Sequence, residues 1–480
     1  MKKILYAAAE CGPFIKTGGL GSVLASLPGE LDHENYDVRV VIPAYECIPL
    51  EWKEKMETVA AFSVTMNWRS IPTRIKSLIM EGTTYYFIEN LNYFCGDYPY
   101  SDIWIDVEKF CYFCRAVLEM TAYLDFEPDI IHCHDWQSAM IPVYLHSPFY
   151  SYDPFFAGIK TVLTIHNLRY QGITDIERMK DITGLPDEMF SYDKLEHYGN
   201  ANMLKGGISF ADEITTVSKT YADEICTPEY GDGLEAVLDW RKDDLKGIVN
   251  GIDYKMYCPA KDPDIHTNYG PKSFPKGKKE NKRALQELTG LTVGEDFLAV
   301  GIVTRLTQQK GLDLLSPVMD RILSMPVQLF VLGGGEKEYE DIFAKAAEAF
   351  PDRVYLNTSY RDDLARKIYA GTDAVLMPSR FEPCGLSQMM ALRYGSVPLI
   401  RETGGLKDTV AVYTKSKTPT GFGFEACDPE ELAACLETAV RVFQKDRDDW
   451  KKIVARGMRK DYSWKASCKK YEKLYDELTG

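Results

Sequence analysis

Two cations, Arg305 and Lys310, follow an apolar run and bracket Leu306-Thr307-Gln308-Gln309. A guanidinium fork and an ammonium at a strand end could together neutralise a diphosphate leaving group, or could serve as ordinary solvent-facing charges. Glu382 lies inside Ser379-Arg380-Phe381-Glu382-Pro383-Cys384-Gly385-Leu386. A carboxylate placed there, ahead of a glycine and a helix, suits bonding to sugar hydroxyls or steadying an oxocarbenium-like transition state; it also reads as a plain loop acid. Lys16-Thr17-Gly18-Gly19-Leu20-Gly21 leads from a first strand into a helix near Ser22. Its bare backbone and free N–H groups favour an anion such as phosphate, or simply make a tight turn. The dinucleotide fingerprint is incomplete, because a third glycine is missing and the second strand ends in Ile42-Pro43 rather than on an acid. Gly333-Gly334-Gly335 is either a further cradle or a turn.

His132-Cys133-His134-Asp135-Trp136 and Thr164-Ile165-His166-Asn167 also close apolar runs. His-x-His followed by Asp could bind a metal, but alternate strand residues share a face, so His132 is expected deep while His134 and Asp135 reach the rim. No metal is expected, since Arg and Lys can supply the electrophilic charge for transfer from a diphosphate. Trp136 offers either a flat face for a sugar ring or ordinary core packing.

These residues need strand ends to sit on. Short β-branched runs alternate with helix-length amphipathic segments, the pattern of parallel sheets with crossover helices. Strands are expected at 3–9, 38–42, 85–88, 129–134, 160–165 and 213–217, and a second series at 297–304, 328–332, 353–356, 374–377 and 397–400. A Pro-, Gly- and Lys-rich stretch to about 282 separates the two series. The chain has 480 residues, and single cores stop growing at ~250–300, so two doubly wound domains follow, with ligands at the carboxyl ends of their strands. Thr17-Gly18-Gly19-Leu20 and Thr403-Gly404-Gly405-Leu406 form a weak echo between the halves.

A net charge of -15 argues against nucleic acid or an anionic membrane as partner, because both need a basic footprint. Lys2 and Lys3 precede Ile4 to Ala9, but Glu10 ends that run too early for an export signal, and no stretch is long enough to span a bilayer. The 12 cysteines are therefore expected as free thiols in a cytoplasmic protein.

Taken in order, Lys16 to Leu20, His134-Asp135-Trp136, Ile165-His166-Asn167, Val249-Asn250-Gly251-Ile252-Asp253, Arg305 with Lys310, and Ser379 to Leu386 closely resemble the bacterial glycogen synthases and plant starch synthases. The resemblance runs to about residue 464. It implies the GT-B fold: two Rossmann-like doubly wound domains and an interdomain cleft, with 1–246 on the acceptor side, 247–259 as hinge, 260–462 on the donor side, and 463–480 as a helix crossing back. It also implies a retaining glucosyltransferase acting on an α-1,4-glucan, with ADP-glucose favoured over UDP-glucose as donor and no cofactor. Carried over by position, Lys16, Gly18 and Gly19 meet the donor, Arg305 and Lys310 hold its diphosphate, and Tyr360 stacks on its base. Glu382 with Cys384, Gly385 and Leu386 contacts the transferred glucose, and His166 touches that sugar near its reacting carbon. Asn250 and Asp135 line the same cleft, Asp135 nearer the acceptor, with His134 and Trp136 beside it.

One position departs: Ser22 stands where the family usually has Asp. Ser suits a helix N-cap, so the fold should not suffer, whereas contacts to donor or acceptor could change. The rival readings are a glucan-binding relative without catalysis, another GT-B transferase, and a nicotinamide dehydrogenase, the last disfavoured by the incomplete fingerprint. The sequence assigns no oligomeric state.

Overall fold

Uninterrupted runs of Ile, Val, Leu and Ala make strands that can be buried on both faces, as a parallel sheet covered by helices requires. The computed structural model describes residues 1–480 and follows that rule in two units: Met1–Ile248 with Trp464–Gly480, and Val249–Ser463.

The first unit holds a nine-stranded sheet in the order Leu245–Gly247, Glu213–Thr216, Lys160–Ile165, Ile130–His134, Lys2–Ala7, Tyr36–Pro43, Thr83–Glu89, Arg69–Met80, Glu57–Met66. The first seven run parallel; the last two turn back antiparallel. Lys2–Ala7 sits centrally, with Tyr6 opposite Val40 on one side and His132 on the other. The antiparallel pair was not expected from the sequence. Its strands are amphipathic rather than apolar, with Phe62, Val64 and Met66 buried and the residues between them exposed. Its turns rest on positive φ at Asn67 (53°) and at Glu81 and Gly82 (50° and 85°), the conformations that tight hairpins demand. A small antiparallel sheet of Ile173–Asp175, Asn200–Asn202 and Glu196–His197 lies in the same unit.

The C-terminal helix Trp464–Thr479 buries Trp464, Cys468, Tyr471, Leu474 and Tyr475 in the first unit's core. Its Tyr475 hydroxyl is 2.7 Å from the Tyr6 hydroxyl and 2.7 Å from His132 Nδ1.

The second unit is a six-stranded, wholly parallel sheet: Val354–Asn357, Val327–Leu332, Leu298–Val303, Ala374–Met377, Val397–Arg401, Phe422–Phe424. The last strand went unread because it is three residues long and flanked by glycine. The segment expected as a hinge, 247–259, straddles the unit boundary. Gly247 ends a strand of the first unit, whereas Ile252 and Tyr257 donate to Tyr462 and Asp253 within the second (both 2.8 Å). No helix is long and apolar enough to cross a membrane.

Tyr475→Phe keeps the ring but leaves His132 Nδ1 and the Tyr6 hydroxyl short of a partner in a fully buried place. It should cost about 1–3 kcal/mol, read as an earlier urea unfolding transition with unchanged slope.

Candidate active site

The first unit's candidates gather where Ile130–His134 and Lys160–Ile165 end. Asp135 leaves its strand in a left-handed conformation (φ 56°), which turns its carboxylate back onto the neighbouring strand. Its Oδ1 accepts from the backbone N–H of His166 (2.7 Å) and of Asn167 (3.3 Å). Loss of solvation pushes this carboxyl up to about 7, partly offset by those two donors, with the charge of Glu10 adding to the rise.

Behind Asp135 three imidazoles form a row. His132 stacks on His134 at 4.3 Å between centroids, and His134 Nδ1 lies 2.9 Å from His166 Nε2. Burial holds His132 and His166 down at about 3 and His134 well below its ordinary value, so all three are neutral near pH 7. Within the His134–His166 pair one nitrogen must donate. His134 Nε2 is buried without a partner, and an orphaned N–H is the costlier of the two orphans. The proton therefore belongs on His134 Nδ1, donating to His166 Nε2, which leaves His166 carrying its own N–H on Nδ1.

His134 was expected at the rim beside the acceptor. It is fully buried instead, because its strand is flanked on both sides and Tyr6 covers its ring at 5.8 Å. Trp136 is likewise core: 5% exposed, edge-on to Phe110 at 5.2 Å, and so close to Gly172 that a Cβ there would sit 2.4 Å from its ring.

Sequence reading missed Glu10. That acid is buried at 3% exposure and accepts from the Thr17 N–H (2.6 Å), the Thr17 hydroxyl (2.6 Å) and the Tyr100 hydroxyl (2.5 Å). It fixes the glycine loop; the signal was an acid breaking an apolar run at a strand end. The helix Gly19–Glu30 then starts earlier than expected, with Gly18 as its N-cap and no acidic residue in its first turn. Ser22 is thus not the cap; its hydroxyl bonds back to the Gly18 carbonyl at 3.4 Å. Lys16 is exposed. A Cβ on Gly18 or Gly19 would meet no atom within 4 Å, so packing inside the protein does not explain either glycine.

In the second unit Lys310 Nζ lies 2.6 Å from Glu382 Oε2, which also accepts from the Ser379 hydroxyl at 2.9 Å. Both charged side chains are largely buried, at 15% and 8% exposure. Arg305, by contrast, is exposed and makes no ion pair. Tyr360 presents a half-exposed ring whose hydroxyl donates to Asp362 at 2.8 Å. Asn250 is buried with its Oδ1 unpartnered. The Cys384 thiol is pushed up to about 12 by burial, offset in part by the Asn250 backbone N–H. Gly385 (φ 69°) and Leu386 lead into the helix Ser387–Arg393. Gly333, Gly334 and Gly335 are packing glycines: a Cβ on each would fall 1.8–2.6 Å from the carbonyls of Thr304, Thr358 and Leu306.

Residues 3–240 match the family described as the starch synthase catalytic domain, and residues 291–455 match glycosyl transferases group 1. The chain is 50% identical over 479 residues to a glycogen synthase of Lachnoclostridium phytofermentans, covering 100% of both chains. It is 47% identical over 478 residues to one of Caldicellulosiruptor saccharolyticus, covering 99% of both. Among solved structures, the catalytic domain of starch synthase IV from Arabidopsis thaliana, bound to ADP and acarbose, superposes with a TM-score of 0.90 at 32% identity, covering 100% of this chain and 99% of that one. A sucrose-phosphate synthase from Thermosynechococcus elongatus shares the fold alone, at TM-score 0.63 and 16% identity, with coverage of 100% and 99%.

The tautomer assignment is directly measurable. Nitrogen-15 spectra of histidine-labelled protein should show His166 protonated at Nδ1; His134→Asn, whose amide N–H can replace the Nδ1 donor, should keep that state, and His134→Phe should release it.

Proposed function

The chain belongs to the glycogen synthase family of glycosyltransferases, and on that footing we propose that it moves glucose from ADP-glucose to the 4-hydroxyl at the non-reducing end of an α-1,4-glucan, with retention at the anomeric carbon. The ADP bound to the Arabidopsis starch synthase supports adenine as the donor's base. One observation carries the reading: a free, exposed guanidinium at Arg305 on the same loop as a Lys310 ammonium that is already held against Glu382. A diphosphate needs both charges, one to dock it and one to take up the charge that develops as it leaves.

In this reading Tyr360 stacks on the base, Lys16, Gly18, Gly19 and Asn250 steady the donor, and the Cys384-Gly385-Leu386 backbone with Glu382 holds the transferred glucose. His166, with its N–H on Nδ1, donates to an oxygen of that glucose, and Asp135 faces the acceptor. The acceptor 4-oxygen bonds to the anomeric carbon on the face from which the diphosphate departs. The bond from that carbon to the diphosphate oxygen breaks with its electron pair, and the hydroxyl proton passes to the leaving phosphate. Arg305 and Lys310 supply the positive charge, so no metal is required. None of the 12 cysteines is in a disulfide, which supports a reducing compartment, the cytoplasm.

The test is nucleoside diphosphate release from ADP-glucose and from UDP-glucose, with and without maltoheptaose, in the presence of chelator. Acceptor-dependent release from ADP-glucose with lengthening of the glucan is expected; silence with both donors in a protein that still binds glucan would overturn catalysis in favour of a binding role. Arg305→Ala or Lys310→Ala should each lower kcat by ~10²–10³, and a loss below about tenfold would remove the residue from charge stabilisation.

A further inference from the structure

An aromatic ring stacks on any nucleobase, because every base has a π-face. The Tyr360 ring, 57% exposed, therefore gives a base somewhere to lie without choosing which one. A choice needs a hydrogen-bonding group at the rim of the ring, level with the edge of the base. The strand Val354–Asn357 ends in a loop, Thr358-Ser359-Tyr360-Arg361, that runs straight into the helix Asp362–Gly371. The Ser359 N–H bonds back to Asn357 Oδ1 (2.9 Å), and Gly334 lies so near that a Cβ on it would fall 2.6 Å from the Thr358 carbonyl oxygen. The loop is thereby fixed, and at its end the Tyr360 hydroxyl donates to Asp362 Oδ1 at 2.8 Å.

Two acids open that helix, and their surroundings differ. Asp363 is matched by cations: Arg361 forks onto it through Nε (3.1 Å) and Nη2 (2.8 Å), and Lys367 Nζ reaches it at 2.9 Å. Asp362 is exposed and makes no ion pair, and only its Oδ1 is engaged. Arg361 and Lys367 are thus committed to the neighbouring acid. A carboxylate oxygen is left beside the phenol tip with acceptor capacity and no donor.

Adenine and uracil present opposite groups to such an oxygen. Adenine carries the N6 amine, a pair of N–H donors, on its six-membered ring, whereas uracil carries the O4 carbonyl, an acceptor. A carboxylate gains a charge-assisted hydrogen bond from the first and meets lone-pair repulsion from the second. We propose that Asp362 selects the base of the donor: held by the Tyr360 hydroxyl through Oδ1, it accepts from the adenine amine through Oδ2 and turns uracil away. The proposal rests on the reading that the donor is a nucleoside-diphosphate glucose whose base lies on Tyr360.

The test is calorimetric titration of the full chain with ADP, UDP and purine riboside 5′-diphosphate, which differs from ADP only in lacking the amine. The parent protein should bind ADP about tenfold more tightly than either of the others. Asp362→Asn keeps an oxygen for the Tyr360 hydroxyl and turns an amide N–H toward the base. It should weaken ADP about tenfold, leave purine riboside diphosphate unchanged and tighten UDP, with kcat/KM for the two sugar nucleotides following the same ratio. Tyr360→Phe keeps the stacking ring but frees the carboxylate, and should lower the ratio of ADP to UDP affinity without loss of UDP binding. A purely structural role for Asp362 would weaken all three ligands alike, and that result overturns the proposal. So does a preference for ADP that survives Asp362→Asn, which leaves ADP-glucose as the donor and moves the choice of base to another group. A parent protein that binds UDP as tightly as ADP overturns the selector and the donor assignment together. Binding that responds as expected, in a protein that transfers no glucose, supports the selector and counts against the reaction.

Discussion

A carboxylate and an ammonium that are both largely out of water repay their desolvation only if they are held at contact distance. The Lys310–Glu382 pair meets that condition, at 2.6 Å, and much of the second unit is arranged to keep it so. Arg380 N–H donates to the Gln309 carbonyl at 2.9 Å, and Gln309 Nε2 reaches the Phe381 carbonyl at 3.3 Å, stitching the two loops together. Arg401, from the next strand, clamps the carbonyl of Arg380 at 2.6 Å. Gly311 (φ 61°) lets its loop close on Pro378, where a Cβ would lie 2.1 Å from the carbonyl oxygen. Removing either charge would strand the other, so position and polarity are set by one contact.

The two Thr-Gly-Gly-Leu runs show how one local sequence serves two physical ends. Each opens a helix after a strand, at Gly19 and at Gly404. In the second unit both glycines are filled in by the protein, since a Cβ on either would come within 2.0 Å of the Glu382 or Cys384 carbonyl. In the first unit neither is, and the loop is instead fixed from beneath by Glu10. Glycine is needed for internal closeness in one case and leaves bare backbone in the other.

Much of this was legible in the residues. Eleven strands were expected, all eleven occur, and their carboxyl ends carry His134, Asp135, His166, Arg305 and Glu382. That succeeded because parallel strands are nearly continuous apolar runs, a strong one-dimensional signal. The antiparallel hairpin was lost because its signal is alternation, diluted by Thr, Ser and Lys. The depth of His134 and Trp136 was not readable, since burial depends on strands and helices far away in sequence, Lys2–Ala7 and the helix Ile103–Tyr123. The same holds for the Tyr475–His132 bond, which spans 343 positions, and for Glu10, whose partners lie 7 and 90 positions away.

The first unit is built from two segments that flank the second unit in sequence. During synthesis its sheet leaves the ribosome before the second unit, yet Tyr6 and His132 wait for Tyr475, which emerges only after that unit. The second unit, encoded between them, has every strand of its own sheet available earlier. Order of translation and order of completion are therefore reversed. Until the helix Trp464–Thr479 docks, the first unit leaves core residues such as Leu27 and Tyr6 without their cover, and transiently exposed surface of that kind is prone to engage other chains.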